Sequence, residues 1–273
     1  MSERARASVF QWREWTSPVA SVSREVLTSQ PVDVPEAGRP PLLFVAGYAH
    51  GAWAFAENWL EHAASRGYPA YGMSLRGHGE SGAAPRTTLR AYTHDVLQVA
   101  ARLPRQAVLI GHGVGGLAVG QAIARYPARA GVLVAPVTGG LRTVGAAFAH
   151  NVTGTLPGLF GAPLRLRRRQ LFGRELPVGQ AQAYTNRLGD PDAPRVVWQL
   201  LRQHIPPRPT ADVPVLVVGS PDDRVVPRRT LEHVARHYGT APLLFPGMGH
   251  DLMLDARWQE PIDAIIDWLD KQV

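Results

Sequence analysis

The sequence predicts an α/β fold, with a mostly parallel central sheet of about eight strands and helices on both faces. Three observations carry this expectation. Short continuous apolar runs, such as Leu42-Leu43-Phe44-Val45-Ala46 and Val215-Leu216-Val217-Val218, read as strands covered on both sides. Segments with helical spacing alternate with them. The alternation stops between residues 139 and 210 and then resumes, as expected for an insertion into one sheet.

The elements follow in order. Phe10 and Trp12 alternate with polar neighbours, and Val19, Val22 and Val26 lie in a Ser/Thr/Val-rich stretch after Pro18, so two short edge strands are expected there. Leu42–Ala46 is a central strand ended by Gly47, and Trp53–Ser65 reads as one helix. Ala70–Met73 is a second central strand. Thr88 caps a helix whose apolar side is Leu89, Tyr92, Val96, Val99 and Leu103. Ala107–Ile110 is the third strand, Val114–Tyr126 a helix, and Gly131–Val137 the fourth strand. Residues 139–210 have no central strand. They hold many Gly and Pro, the run from Leu164 to Leu171 with its arginines, and helical pieces such as Val196–Gln203. A helical insertion over 139–210 is therefore expected within a core of residues 1–138 and 211–273. The strand Val215–Val218, a helix over Pro227–Tyr238, the strand Leu243–Phe245 and a last helix follow. Trp258, Ile262, Ile265, Ile266 and Leu269 lie on one face of that last helix.

Composition narrows the functional classes. Of 273 residues 45% are hydrophobic, enough for a sizeable core, yet no run is long enough for a membrane span. The charged amino terminus has no apolar signal core, so a cytoplasmic protein is expected. The absence of cysteine excludes disulfides, thiolate metal sites and a cysteine nucleophile. The net charge of +7 rests almost wholly on arginine, since Lys271 is the sole lysine. An arginine-, alanine- and proline-rich chain reflects GC-rich coding. Without a recognition helix, a zinc site or interleaved aromatic and basic residues, no nucleic-acid partner is expected.

The chemistry centres on "LIGHGVGG", residues 109–116, a strand end, glycine turn and helix start. Gly111, Gly113 and Gly116 satisfy the dinucleotide pattern G-x-G-x-x-G. That pattern belongs in a first βαβ unit with an acidic residue about twenty positions on. Here two central strands precede it, and the next strand ends in Ala135-Pro136-Val137 with no carboxylate. The other reading is a nucleophile elbow, whose partners follow in the order nucleophile, acid, histidine. "VLVVGSPDDRVVP" places Asp222 and Asp223 after one strand, and "LLFPGMGHDLM" places His250 after the next.

These segments resemble the α/β-hydrolase family over nearly the whole chain. "FVAGYAHGAW" is similar to its oxyanion loop, with Gly47 at the usual glycine and Ala46 where histidine is common. "YGMSLRGHGES" is similar to D-x-R-G-H-G-x-S, with Ser74 in the aspartate's place. "GHGVGG" matches G-H-S-x-G-G except at Gly113, the nucleophile position. "PDDRVVP" resembles the acid loop, with Asp223 aligned by its distance from Pro227, and "GMGHDLMLD" the histidine loop. The resemblance implies a helical cap over 139–210 above a mostly apolar pocket. It further implies His250 as general base or acid, Asp223 as its orienter, and the N–H groups of Tyr48 and Val114 as an oxyanion hole. It implies a small carbonyl substrate (ester, lactone, thioester or β-keto compound) and neither cofactor nor metal.

Glycine at an elbow keeps the turn, because it tolerates positive φ, but it has no hydroxyl to acylate. Three readings stand open. The protein works without a covalent step, by hydrolysis or by lyase, isomerase or cyclase chemistry through His250. Alternatively, it is a serine ester hydrolase whose nucleophile was replaced. Otherwise it is a non-catalytic ligand binder. Tyr48, His50 and His112 are candidate substrate contacts, each with a structural role as the alternative. Ser74, Ser81 and Ser220 are the nearest other hydroxyls, Asp222 is a substitute for Asp223, and His78 reads as structural. His233 and His237 share a helix face without a third ligand. The arginines at 165 and 167–169 read as a solvated helix face or an anion-attracting surface.

Overall fold

In the computed structural model the described residues are 19–32, 38–83, 87–138, 140, 145, 149–160, 165–189, 194–202, 204–209 and 212–273. Their apolar runs form a seven-stranded sheet. The strands are β1 (Val26–Ser29), β2 (Leu42–Val45), β3 (Ala70–Met73), β4 (Val108–His112), β5 (Ala130–Val134), β6 (Val215–Gly219) and β7 (Leu243–Leu244). They lie in the order β1-β3-β2-β4-β5-β6-β7. β1 runs antiparallel to β3, and every other pair is parallel. Val45 stands opposite Gly111, and Gly111 opposite Leu133, so the carboxyl ends of the central strands share one end of the sheet. The expected strand around Phe10 and Trp12 lies outside the described residues, as does Leu164. Of the Val19–Val26 stretch, only Val26 joins the sheet.

The helices are α1 (Trp53–Ala56), α2 (Trp59–Ser65), α3 (Leu89–Ala100), α4 (Val114–Ile123), α5 (Val152–Leu159), α6 (Arg168–Leu171), α7 (Val178–Asn186), α8 (Pro194–Arg202), α9 (Arg228–His237) and α10 (Gln259–Leu269). Alternation along the strands divides the core between two faces. Leu42, Phe44, Val108, Ile110, Val132 and Val134 meet Phe55, Trp59, Ile262 and Ile266 of α1, α2 and α10. Leu43, Val45, Leu109, Leu133 and Val217 meet Tyr92, Val96, Leu117 and Leu231 of α3, α4 and α9. Thr88 caps α3, its hydroxyl accepting from Ala91 N–H at 3.3 Å. The single helix expected over Trp53–Ser65 is instead two. At Asn58 the backbone leaves the helical region (φ −142°, ψ −53°), and its side chain donates to Met253 O at 3.1 Å.

Between β5 and β6 the described residues contain α5 to α8 and no strand. Leu171, Phe172, Leu176, Ala181 and Tyr184 of this segment join the core that holds Trp59 and Met248. Two backbone bonds tie it to strand-end loops: Gly189 N–H to Ala49 O and Asp251 N–H to Leu171 O, both 2.8 Å. Ala49 has φ 66°, a strained conformation for a residue with a side chain.

The glycines of "GHGVGG" bring α4 hard against the sheet. A β-carbon on Gly111 would lie 2.4 Å from Gly115 O, and one on Gly115 would lie 2.5 Å from Ala46 O. These contacts account for Gly111 and Gly115 by helix–strand packing.

Candidate active site

Four loops meet at the carboxyl ends of β2, β4, β6 and β7. After β4 the backbone turns at Gly113 with φ 55° and ψ −119°. Its N–H donates to Val134 O at 3.0 Å, and its carbonyl accepts from Val137 N–H at 2.9 Å. The turn is thus held from the β5 side. α4 begins at once, so Val114 N–H has no acceptor within its own helix, and the positive end of a ten-residue helix lies at the turn. A β-carbon on Gly113 would meet His250 Nε2 at 3.3 Å and Gly47 Cα at 3.9 Å. The Gly113 turn, the loop after β2 and His250 therefore converge.

Asp223 lies in the loop after β6. Asp223 Oδ1 accepts from the N–H groups of Val225 (2.6 Å) and Val226 (2.9 Å). Asp223 Oδ2 lies 2.8 Å from His250 Nδ1. A carboxylate only accepts, so Nδ1 carries the hydrogen and the Nε2 lone pair faces the elbow. Asp222 instead takes Gly247 N–H at 2.7 Å. Burial of the His250 ring disfavours its charged form, but the charge and hydrogen bond of Asp223, with the charge of Asp251, outweigh that and hold it above the ordinary histidine value.

Behind His250 lies a second buried group. His112 Nε2 donates to His250 O at 3.1 Å. Burial, reinforced by the neighbouring His250, drives His112 down to about 3, so the ring is neutral. Its Nδ1 faces Gly47, where a β-carbon would come within 2.8 Å. His50 Nδ1 lies 3.0 Å from Tyr48 O, and its Nε2 lies 2.9 Å from Asp251 Oδ2. Both partners are acceptors, since burial's upward push on Asp251 is outweighed by His50, His112 and His250, and its carboxyl is held below the ordinary range. Both His50 nitrogens thus face acceptor oxygens. Of the expected substrate contacts, then, His50 has no nitrogen left to offer. His112 faces the loops from behind, and Tyr48 packs edge-on against His78, ring centroids 5.6 Å apart. Asp251 went unremarked in the sequence; its only signal is adjacency to His250.

His50, His112 and Asp251 bring three potential metal-ligand atoms within 4.8 Å of one another. Within this group His50 bonds Asp251, while His112 bonds the His250 carbonyl. The other hydroxyls serve structure. Ser74 accepts from Ala52 N–H at 2.7 Å and also bonds Glu25. Ser81 donates to Ser74 O at 2.9 Å, and Ser220 donates to Met248 O at 2.7 Å. His78 is buried, its Nδ1 3.0 Å from Arg76 O. Arg76 forms a buried two-point pair with Asp95 at 2.7 and 2.6 Å, fixing the "RGHGES" turn to α3.

The chain belongs to the alpha/beta hydrolase family, whose sequence profile matches residues 42–268. No individual curated protein matches it. Among solved structures it is similar to a monoacylglycerol lipase from Paleococcus ferrophilus, with 19% identity and a TM-score of 0.68 over 93% of this chain and 100% of that one. It is also similar to an esterase from Rhodococcus sp., with 23% identity and a TM-score of 0.70 over 92% and 96%. A proline iminopeptidase from Mycobacterium smegmatis has 15% identity and a TM-score of 0.70 over 93% and 97%. At these identities the likeness speaks for the fold alone. Among the described residues no helix is long and apolar enough to cross a membrane.

Proposed function

We propose that this protein is an enzyme acting on a small carbonyl compound, an ester, lactone, thioester or β-keto compound, by general acid and base catalysis without a covalent intermediate. The supporting observation is the line Asp223–His250–residue 113. The imidazole is oriented at 2.8 Å by the carboxylate, and its basic nitrogen lies 3.3 Å from the place where a β-carbon on Gly113 would sit. The side-chain space that glycine leaves open lies between a base and the oxyanion loop.

In hydrolysis, a water in that space gives its proton to His250 Nε2 as its oxygen bonds the carbonyl carbon. The carbonyl electron pair moves to oxygen, stabilised by the N–H groups of Tyr48 and Val114 and the α4 terminus. On collapse, the bond to the leaving oxygen or sulfur breaks, and that atom takes the proton back from Nε2. With a β-keto substrate the same base removes a carbon-bound proton, and the enolate oxygen occupies the same donors. The segment between β5 and β6 serves as the cap that shields this chemistry from bulk water.

A second reading is favoured by the Gly113 dihedrals, which keep the bend a serine elbow needs: an ester hydrolase whose serine was replaced. One experiment separates them. Short p-nitrophenyl esters and lactones are assayed with the chain as it is, with His250→Ala and with Gly113→Ser. The proposal expects steady turnover without a burst, lowered roughly 10²-fold or more by His250→Ala. A rate indifferent to His250 rejects it. A burst and large rate gain seen only with Gly113→Ser, over a parent that turns nothing over, favours the second reading.

A further inference from the structure

We infer that this protein has a second ligand site, for an organic phosphate monoester with an apolar part. It lies between the α6–α7 segment and the loops that carry the acid and the histidine. A cavity of about 890 Å³ opens there, within the roughly 300–1,000 Å³ of small-molecule sites. Neither residue 113 nor the His250 side chain lines it, so the inference stands apart from the proposed chemistry.

Its charge identifies the ligand. Arg168, Arg169, Arg174 and Arg224 all line the cavity. Among the described residues none of these guanidinium groups is paired with a carboxylate. Two carboxylates share the lining, half as many as the guanidinium groups. Glu175 is matched by Arg257 at 3.4 Å, and Asp222 already accepts from Gly247 N–H. Four planar donor groups in excess over the available acceptors suit a dianion with several oxygens, which is phosphate rather than a single carboxylate. The floor is different. Phe172 and Met248 are buried beneath it, beside Leu176 and Ala181. A ligand that pays for desolvating the phosphate rim with this floor has a short hydrocarbon or aryl part attached to the phosphate.

Position gives such a ligand a consequence. Residues 171–173 are bonded to the histidine loop, through Leu171 O with Asp251 N–H and through Gly173 N–H with Asp255 Oδ2 (2.8 Å). A phosphate bridging Arg168 or Arg174 to Arg224 spans the same seam and fastens the inserted segment to the β6 loop.

The test is calorimetric titration of the full chain with hexyl phosphate, inorganic phosphate and hexyl glucoside. The inference expects saturable binding of hexyl phosphate at one site, weakened by salt. Inorganic phosphate binds more weakly and hexyl glucoside not measurably. Arg168→Gln with Arg174→Gln, at surface positions that leave the fold intact, lowers hexyl phosphate affinity at least about tenfold. Gly113→Ser leaves it unchanged. Equal binding of the glucoside, or affinity indifferent to the two arginines, or no saturable binding, overturns the inference.

Discussion

His50 and Asp251 form a buried hydrogen-bonded pair that joins the loop after β2 to the loop after β7, 201 residues apart in sequence. The pair fixes the Tyr48 carbonyl through His50 Nδ1 and places a carboxylate beside the histidine proposed as base. Asp251→Asn replaces the buried carboxylate that pairs with His50 Nε2 by a neutral amide. A stability loss of about 1.5–3 kcal/mol is expected in urea unfolding. The double variant His50→Gln, Asp251→Asn recovers part of that loss, since the two amides can pair. A positioning role has a further readout. Removing the Asp251 charge lowers the His250 pKa, so the acidic limb of the rate profile moves to lower pH in Asp251→Asn.

The rate profile of the unmodified chain has its own expected shape. His250 is held above the ordinary value of 6.5, and a general base works only when unprotonated. Activity therefore falls as pH drops through a midpoint above 6.5. A midpoint below 6.5 contradicts the geometry of the Asp223 pair.

Acid stability is set by other histidines. Burial holds His112 at about 3 and His78 at about 4. The unfolded chain binds protons at both positions at a pH where the folded chain does not. Their stabilising effect is complete above pH 6.5 and is lost as pH falls toward those values. His250, shifted the opposite way, is protonated in both states below about pH 6 and adds nothing to the slope there. Between pH 6 and 4 unfolding free energy is expected to fall at a rate approaching about 2.7 kcal/mol per pH unit, two protons' worth. His78→Phe roughly halves that slope, as urea titrations at pH 7, 6 and 5 would read.

Glycine substitutions around α4 test the packing. Gly111→Ala drives a methyl into Gly115 O, which cannot move without shifting the helix, so a loss of about 2–3 kcal/mol or more is expected. Gly179, an exposed position of α7, has nothing within 4 Å of its would-be β-carbon. There alanine gains roughly 0.5–1 kcal/mol by helix propensity. Thermal unfolding of the two variants separates close approach from mere glycine content.

Gly113→Ser lies between these cases. The positive φ costs a side-chain-bearing residue about 1–3 kcal/mol, and His250 must tilt slightly from a β-carbon at 3.3 Å. The variant is expected to fold, with a melting temperature a few degrees lower.

Much of this architecture is legible in the sequence because it is written locally. A strand buried on both faces is an apolar run, and a strand-end loop announces itself by glycine, proline and aspartate. The alternation thus places the Gly113 turn, the Asp222–Asp223 loop and the His250 loop at one end of a sheet. Pairings across the fold leave no such trace. Nothing near His50 points to Asp251, and nothing near Arg76 points to Asp95. The break between α1 and α2 is similarly hidden, since Asn58 is drawn out of the helix by Met253 O, a partner in a distant loop. Side-chain direction is equally silent: His50 reads as a substrate contact only until both its nitrogens are seen to be spoken for.

The bond from Gly189 N–H to Ala49 O carries one more implication. It links the inserted helices to the peptide next to Tyr48, whose N–H is the proposed receiver of negative charge. Lifting those helices away means breaking that link and freeing a strained peptide to relax. On the proposed reading, admission of solvent and loss of the charge receiver are then one mechanical event.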